Sequence, residues 1–194
     1  MHIHEKRTVW EGSFLRTVNI LYEDRSGKMR TWEAVERLNC SGIVTIVPVS
    51  SGGDVLMVRQ FRPVLGRCVV EFPAGLNDRD ESLHDAARRE LIEETGYDAE
   101  EFIFLTDGPV SSGLSTEVLS VFLAKNISPA TGEMKRKYPP DESEEIEVIR
   151  TPLTAMYDRL RNFRDNGDFI DLKIYGLAEL VRTYLKMDSE AKER

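Results

Sequence analysis

One stretch constrains this chain more than any other: Arg89-Glu90-Leu91-Ile92-Glu93-Glu94, set inside a segment with the period of an amphipathic helix. The helix is expected from about Ser82 to Thr95. Asp80 or Ser82 can cap its start, and Gly96 stands where a left-handed residue ends a helix. At ~100° per residue, with Leu83 as zero, Ala87 and Leu91 fall at roughly +40° and +80° and Ala86 at roughly −60°. Glu90 and Glu94 land at about −20° and +20°, inside the apolar stripe, with Glu93 on its margin. Asp85, Arg88 and Ile92 are left on the opposite side. A solvated face is the ordinary explanation of an acidic helix, but here two carboxylates aim towards the core, where unpaired charge is costly. A bound cation is the simplest compensation. Oxygen-rich ligands without histidine suit Mg²⁺ or Mn²⁺ rather than zinc. Arg89, four residues before Glu93, can pair with it and fix its orientation. Helical geometry alone leads to a hard-metal site and no further.

Around this helix the pattern alternates between strands and helices. Strands around 14–22 and 29–38 would form a hairpin across Glu23-Asp24-Arg25-Ser26-Gly27-Lys28. Residues 43–49 and 55–60 make a second hairpin across Ser50-Ser51-Gly52-Gly53, and 69–72 is a short strand closed by Pro73-Ala74-Gly75. Further strands are expected near 102–106, 118–124 and 145–150, with a helix near 153–162. A last helix over 172–185 has Leu172, Tyr175, Leu177, Leu180, Val181 and Tyr184 spaced for an apolar stripe. Residues 126–144 are polar and carry Pro129, Pro139 and Pro140, which predicts a mobile loop whose Lys135-Arg136-Lys137 run keeps it solvated. The fold class is α/β (α+β), a layered sandwich of helices on a sheet.

Composition narrows the function classes. With 194 residues, 41% hydrophobic and 31% charged, the chain can bury a sizeable core. No apolar run approaches the ~20 residues of a membrane span, and residues 1–12 lack the apolar core of a secretory signal. A cytoplasmic location with no membrane partner is expected, and Cys40 and Cys68 fit it as reduced thiols. A net charge of −8 argues against a general nucleic-acid binder. A small anionic substrate would need a metal or a local arginine cluster to offset the carboxylates.

The segment from Gly75 through Glu81 to Arg89-Glu90-Leu91-Ile92-Glu93-Glu94-Thr95-Gly96-Tyr97 matches the pattern G-x5-E-x7-R-E-U-x-E-E-x-G-U, where U is a bulky apolar residue. Every fixed position is present, with Tyr97 where an aliphatic residue is usual. This is the Nudix box, and the chain resembles the Nudix hydrolases. Glu11-Gly12-Ser13-Phe14, Arg30-Thr31-Trp32-Glu33, Arg59-Gln60-Phe61-Arg62-Pro63, Glu71-Phe72-Pro73-Ala74-Gly75, Ser112-Gly113-Leu114-Ser115 and Glu144-Glu145-Ile146-Glu147-Val148 resemble the ADP-sugar pyrophosphatase branch.

The resemblance implies a Nudix-type α/β/α sandwich with a mixed sheet over residues 42–194. An N-terminal β-segment, residues 1–41, would precede it and exchange between the subunits of a homodimer. It further implies that Glu90, Glu93 and Glu94, the carbonyl of Ala74 and the late-loop Glu144 hold Mg²⁺, with Mn²⁺ as a possible substitute. Glu144 or Glu142 would take a proton from water, and Arg89 and Glu93 belong to the same catalytic set. Trp32 and Phe14 would sandwich the base, Glu33 would read its edge, and Arg37, Arg62 and Leu76 would meet the rest of the substrate. Phe14 stands where relatives often carry tryptophan, and Val110-Ser111-Ser112 lacks the proline common before Gly113. The implied reaction is metal-dependent hydrolysis of a nucleoside diphosphate sugar, ADP-ribose first. GDP-mannose or a broad substrate range is the alternative, and a non-cutting ADP-ribose sensor a more distant one, since such sensors lose a box glutamate.

Overall fold

Two sheets account for most of the chain in the computed structural model, which describes residues 1–141 and 144–192. The first is antiparallel: β1 (His2–Glu11), β2 (Leu15–Glu23) and β3 (Met29–Arg37), in that order. The expected hairpin is β2–β3, and its turn is closed by Asp24, whose Oδ1 accepts from the N–H of Ser26 at 2.8 Å and of Lys28 at 3.1 Å. β1 is an addition to the sequence reading. Every one of its residues is exposed, so no core imposes a period of two on its sequence.

The second sheet contains β4 (Ile43–Val49), β5 (Asp54–Arg62), β6 (Arg67–Glu71), β7 (Ala74–Leu76), β8 (Tyr97–Pro109), β9 (Val118–Pro129), β10 (Ile146–Pro152) and β11 (Phe169–Ile170). Its main path runs β11-β6-β5-β4-β9-β8, with β10 added to β5 and β7 to β4. The sheet is mixed: β4–β9 and β6–β11 are parallel, the other pairs antiparallel. β4 and β5 leave the Ser50–Gly53 turn paired only at Val49 and Val55. Beyond that point β4 pairs with β7 and β9, and β5 with β6 and β10.

Among the described residues four α-helices complete the fold: α1 (Leu83–Thr95), α2 (Gly132–Lys137), α3 (Met156–Asp165) and α4 (Lys173–Lys192). The central strands are buried on both faces, which is why their sequences read as unbroken apolar runs. Val44, Ile46 and Leu56 pack with Ala86, Ala87 and Leu91 of α1 on one side. Val47, Val55 and Met57 pack with Leu160 of α3 and Ile174, Ala178 and Val181 of α4 on the other. Each fully buried side chain of this size contributes ~1.5–3 kcal/mol relative to exposure. The result is the expected α/β/α layering on a mixed sheet.

Several local expectations are corrected. The 102–106 strand extends over all of β8, and the helix near 153–162 begins with a 3₁₀ turn at Leu153–Ala155 before α3. In α4 the inward stripe is Ile174, Ala178 and Val181, while Leu172 is 82% exposed ahead of the helix. Asp171 sets this phase, because its side chain accepts from the Lys173 N–H at 2.9 Å and starts the helix there. The expected loop at 126–144 holds the end of β9 and the whole of α2, whose N-cap Thr131 accepts from the Met134 N–H at 3.3 Å. Cys40 and Cys68 are free thiols. Among the described residues no helix is long and apolar enough to cross a membrane.

The small sheet is tied to the large one by main chain. Val35 N–H donates to Leu114 O at 2.8 Å, and Thr116 N–H donates to Val35 O at 3.2 Å. Ile3, Val9, Trp10, Phe14, Met29 and Trp32 in this part of the chain are exposed.

Candidate active site

α1 places the acidic residues, and its ends follow from its sequence. Ser82, not Asp80, is the N-cap: its Oγ accepts from the Asp85 N–H at 3.1 Å, whereas Asp80 takes a φ of 53° in the approach. Gly96, at φ 71°, ends the helix by donating its N–H to Ile92 O at 2.9 Å. Ile92 was expected on the outer side but is 1% exposed, because the helix is enclosed on more than its sheet-facing stripe.

Arg89 is the hub, with its side chain 3% exposed. Its Nε donates to Glu81 at 2.7 Å, Nη1 to Glu90 at 2.7 Å and to Glu93 at 2.8 Å, and Nη2 to the Leu76 carbonyl at 2.9 Å. Burial works against its charge, but the three carboxylates hold its proton more tightly than in a free arginine. Gly75 lies so close that a Cβ there would strike the Glu90 carboxylate, which gives the glycine of the box a steric reason.

Glu90 and Glu94 are the strained members. Burial pushes the Glu90 carboxyl up to about 7, against the pull of Arg89. Glu94 is driven well above the ordinary carboxylate range, first by burial and then by Glu90 and Glu144, with the Ala74 N–H (3.2 Å) and Arg62 opposing. Two acids that resist ionisation beside each other, with Glu144 adding to the repulsion, make a place where added positive charge is stabilising. The donor set therefore fits a hard divalent cation. Yet among the described residues no three His, Cys, Asp or Glu side chains form a finished cation shell. Glu90 and Glu93 are turned onto Arg89, and Glu94 onto the Ala74 amide. To share a cation they must re-aim.

These groups line a cavity of about 900 Å³, and it gathers most of the expected site: Arg37, Arg62, Ala74, Leu76, Arg89, Glu90, Glu93, Glu94 and Glu144. Arg62 Nε donates to Glu71 at 2.6 Å, and Arg37 Nε to Glu117 at 2.8 Å. Glu142 lies outside the described residues. Phe14, Trp32 and Glu33 are not among the lining residues; all three are exposed, and Trp32 Nε1–H donates to the Gly113 carbonyl at 3.1 Å. Among the lining residues to which the sequence reading gave no site role are Arg79, Glu117, Lys135 and Tyr138. Lys135 and Tyr138 belong to a stretch read as loop, and nothing in their local pattern signalled the cavity.

Comparison with known proteins identifies the family. Residues 42–172 match the NUDIX domain family. The chain is 37% identical over 155 residues to the ADP-ribose pyrophosphatase of Bacillus subtilis, covering 78% of this chain and 80% of that protein. It is 32% identical over 187 residues to the ADP-sugar pyrophosphatase of Mus musculus, covering 91% and 86%. The crystal structure of an ADP compounds hydrolase superposes with a TM-score of 0.77, covering 96% of this chain and 95% of that one at 24% identity, which is agreement in fold. A box glycine packed against a box glutamate, a buried arginine binding three glutamates and a family match that spans them all lead to one statement: the chain belongs to the Nudix family.

Proposed function

We propose that this chain hydrolyses the diphosphate linkage of nucleoside diphosphate sugars with Mg²⁺, and that ADP-ribose, split to AMP and ribose 5-phosphate, is its preferred substrate. The observation that carries the reading is the cluster of Glu90, Glu93 and Glu94 about Arg89, in the wall of a cavity that also holds Arg62 and Glu144. The choice of ADP-ribose rests on the names of the mouse and Bacillus relatives.

Glu90, Glu93, Glu94, Glu144 and the Ala74 carbonyl are the groups that would hold the metal, and Mn²⁺ suits the same oxygens. When bound, Mg²⁺ supplies charge neutralisation for the diphosphate and acidity for a nearby water. Arg89 holds Glu90 and Glu93 in the wall. Glu144 takes the proton of the attacking water, with Glu142 as the second candidate for that role. Arg62, steadied by Glu71, faces the negative charge that grows on the diphosphate oxygens as phosphorus is attacked. Arg37 and Leu76 line the approach.

Trp32 and Phe14 are assigned to stacking on the base and Glu33 to its edge. They lie outside the cavity lining of their own chain, so this assignment goes with a homodimer in which residues 1–41 of one chain complete the site of residues 42–194 of the other. The proposed setting is cytoplasmic, without nucleic-acid or membrane partners.

The test incubates the purified protein with ADP-ribose and with GDP-mannose, each with Mg²⁺ and with EDTA, and identifies the products. Metal-dependent AMP from ADP-ribose, faster than GMP from GDP-mannose, is the expected result. Faster GMP would keep the chemistry and overturn the adenine assignment, while tight ADP-ribose binding without cleavage would make the protein a sensor.

A further inference from the structure

Glu93 has both of its oxygens occupied by arginines. Oε2 accepts from Arg89 Nη1 at 2.8 Å, and Oε1 lies 3.1 Å from Arg79 Nη1. The two arginines are not equivalent. Arg89 is enclosed and also binds Glu81, Glu90 and the Leu76 carbonyl, so its departure would strand four buried or part-buried groups. Arg79 stands on the loop before α1, with its side chain 54% exposed, and the other carboxylate in its reach is Asp78, at 3.9 Å. Leaving Glu93 costs Arg79 one solvent-screened ion pair. It occupies a position that the box pattern leaves open, and it lines the same cavity as the glutamates.

We infer that Arg79 is a built-in competitor of the divalent cation: in the metal-free protein its guanidinium holds Glu93 Oε1, and a cation gains Glu93 as a ligand by displacing it. The inference rests on the metal-binding reading above. It follows from the re-aiming that Glu93 must undergo, since of its two partners Arg79 alone can leave without breaking the hub. The apparent metal affinity is the intrinsic affinity multiplied by the fraction of molecules in which the pair is open. For an ion pair exposed on its arginine side that amounts to a lowering of ~2–5-fold.

The experiment titrates the full-length protein with Mn²⁺ alone, without nucleotide, and counts free Mn²⁺ by electron paramagnetic resonance. Arg79→Gln should bind Mn²⁺ ~2–5-fold more tightly than the parent, with the gap shrinking at high salt as the pair is screened. Arg79→Lys, which keeps the charge, should stay near the parent. Arg25→Gln, in the β2–β3 turn, controls for the loss of one positive charge and should also stay near the parent. Equal or weaker binding by Arg79→Gln would overturn the inference and make Arg79 a residue that orients Glu93. Equal tightening by Arg25→Gln would reduce the effect to net charge and overturn it as well. A parent protein that binds no Mn²⁺, indistinguishable from Glu94→Gln, would instead remove the metal reading and this inference with it.

Discussion

The two halves of the proposed site are built in opposite ways. The acidic half is local: every bond of Arg89 closes within residues 76–93, and each partner is fixed within about 3 Å. The aromatic half is dispersed. Phe14 lies in the β1–β2 connection and Trp32 on β3 of the separate sheet; Phe14 is 77% exposed, and Trp32 donates a hydrogen bond to the Gly113 carbonyl. A cluster of charges in a part-buried wall has to be satisfied within the chain that contains it, because stranded charge is expensive. A stacking surface carries no such debt and can wait for a ligand or a second chain. On the proposed assignment the chemistry is self-contained, and the recognition is not.

The sharpest way to break this contrast is Glu94→Gln. It removes a carboxylate from the half that should be complete in one chain, so turnover of ADP-ribose with Mg²⁺ should fall by about 10³-fold or more, with an unchanged fold by circular dichroism. Near-normal activity would show that the acidic half is not the catalyst. Next, Arg89→Ala should destabilise the protein by ~3–5 kcal/mol in urea unfolding, since it leaves Glu81, Glu90 and Glu93 without their partner. A loss below 1 kcal/mol would mean the hub holds nothing together. On the aromatic side, Trp32→Ala should raise KM ~5–150-fold with a smaller effect on kcat and little on stability. Mixing Trp32→Ala with Glu94→Gln protein, unfolded and refolded together, should restore activity above either parent if each site draws its aromatics from the other chain. No restoration would leave the site within one chain.

The mildest effect concerns pH. In the metal-free protein the carboxyls of Glu90 and Glu94 have raised proton affinity, so the folded state binds more protons than the unfolded chain above the usual carboxylate range. Their contribution to stability therefore declines as pH rises from about 4.5 to about 7, the window set by Glu90. Melting temperatures across that window should fall more steeply for the parent than for Glu90→Gln, and saturating Mg²⁺ should flatten the parent's slope. Identical slopes would show that burial of Glu90 has no thermodynamic weight.

What the sequence showed of this arrangement follows the same division. Glu90 and Glu94 were placed by a period of 3.6, Ser82 and Gly96 by cap chemistry, and the Arg89–Glu93 pair by a spacing of four, all of which act over one or two helical turns. Ile92 was misplaced because a stripe calculation assumes one buried side, and α1 has more. Leu172 was counted into α4 because the Asp171 cap that starts the helix one residue later is a side-chain choice that hydrophobic spacing does not contain. β1 left no period because no core lies against it, and α2 was hidden by its lysines and the prolines after it. Arg79 could have been noticed only as a cation in a variable box position; its target lies fourteen residues away, across a loop whose path is set by tertiary structure.

The single paired position between β4 and β5, Val49 against Val55, has a mechanical consequence. It is the clasp of a two-leaved book. One leaf carries β7 and the other β10, which Glu144 leads into, and α1 with the acidic cluster packs across both. The reach from Glu144 to Glu90 and Glu94 then depends on how α1 seats across the two leaves. A change of volume at this clasp, remote from every reacting group, would act as a shim on the jaws of the active site.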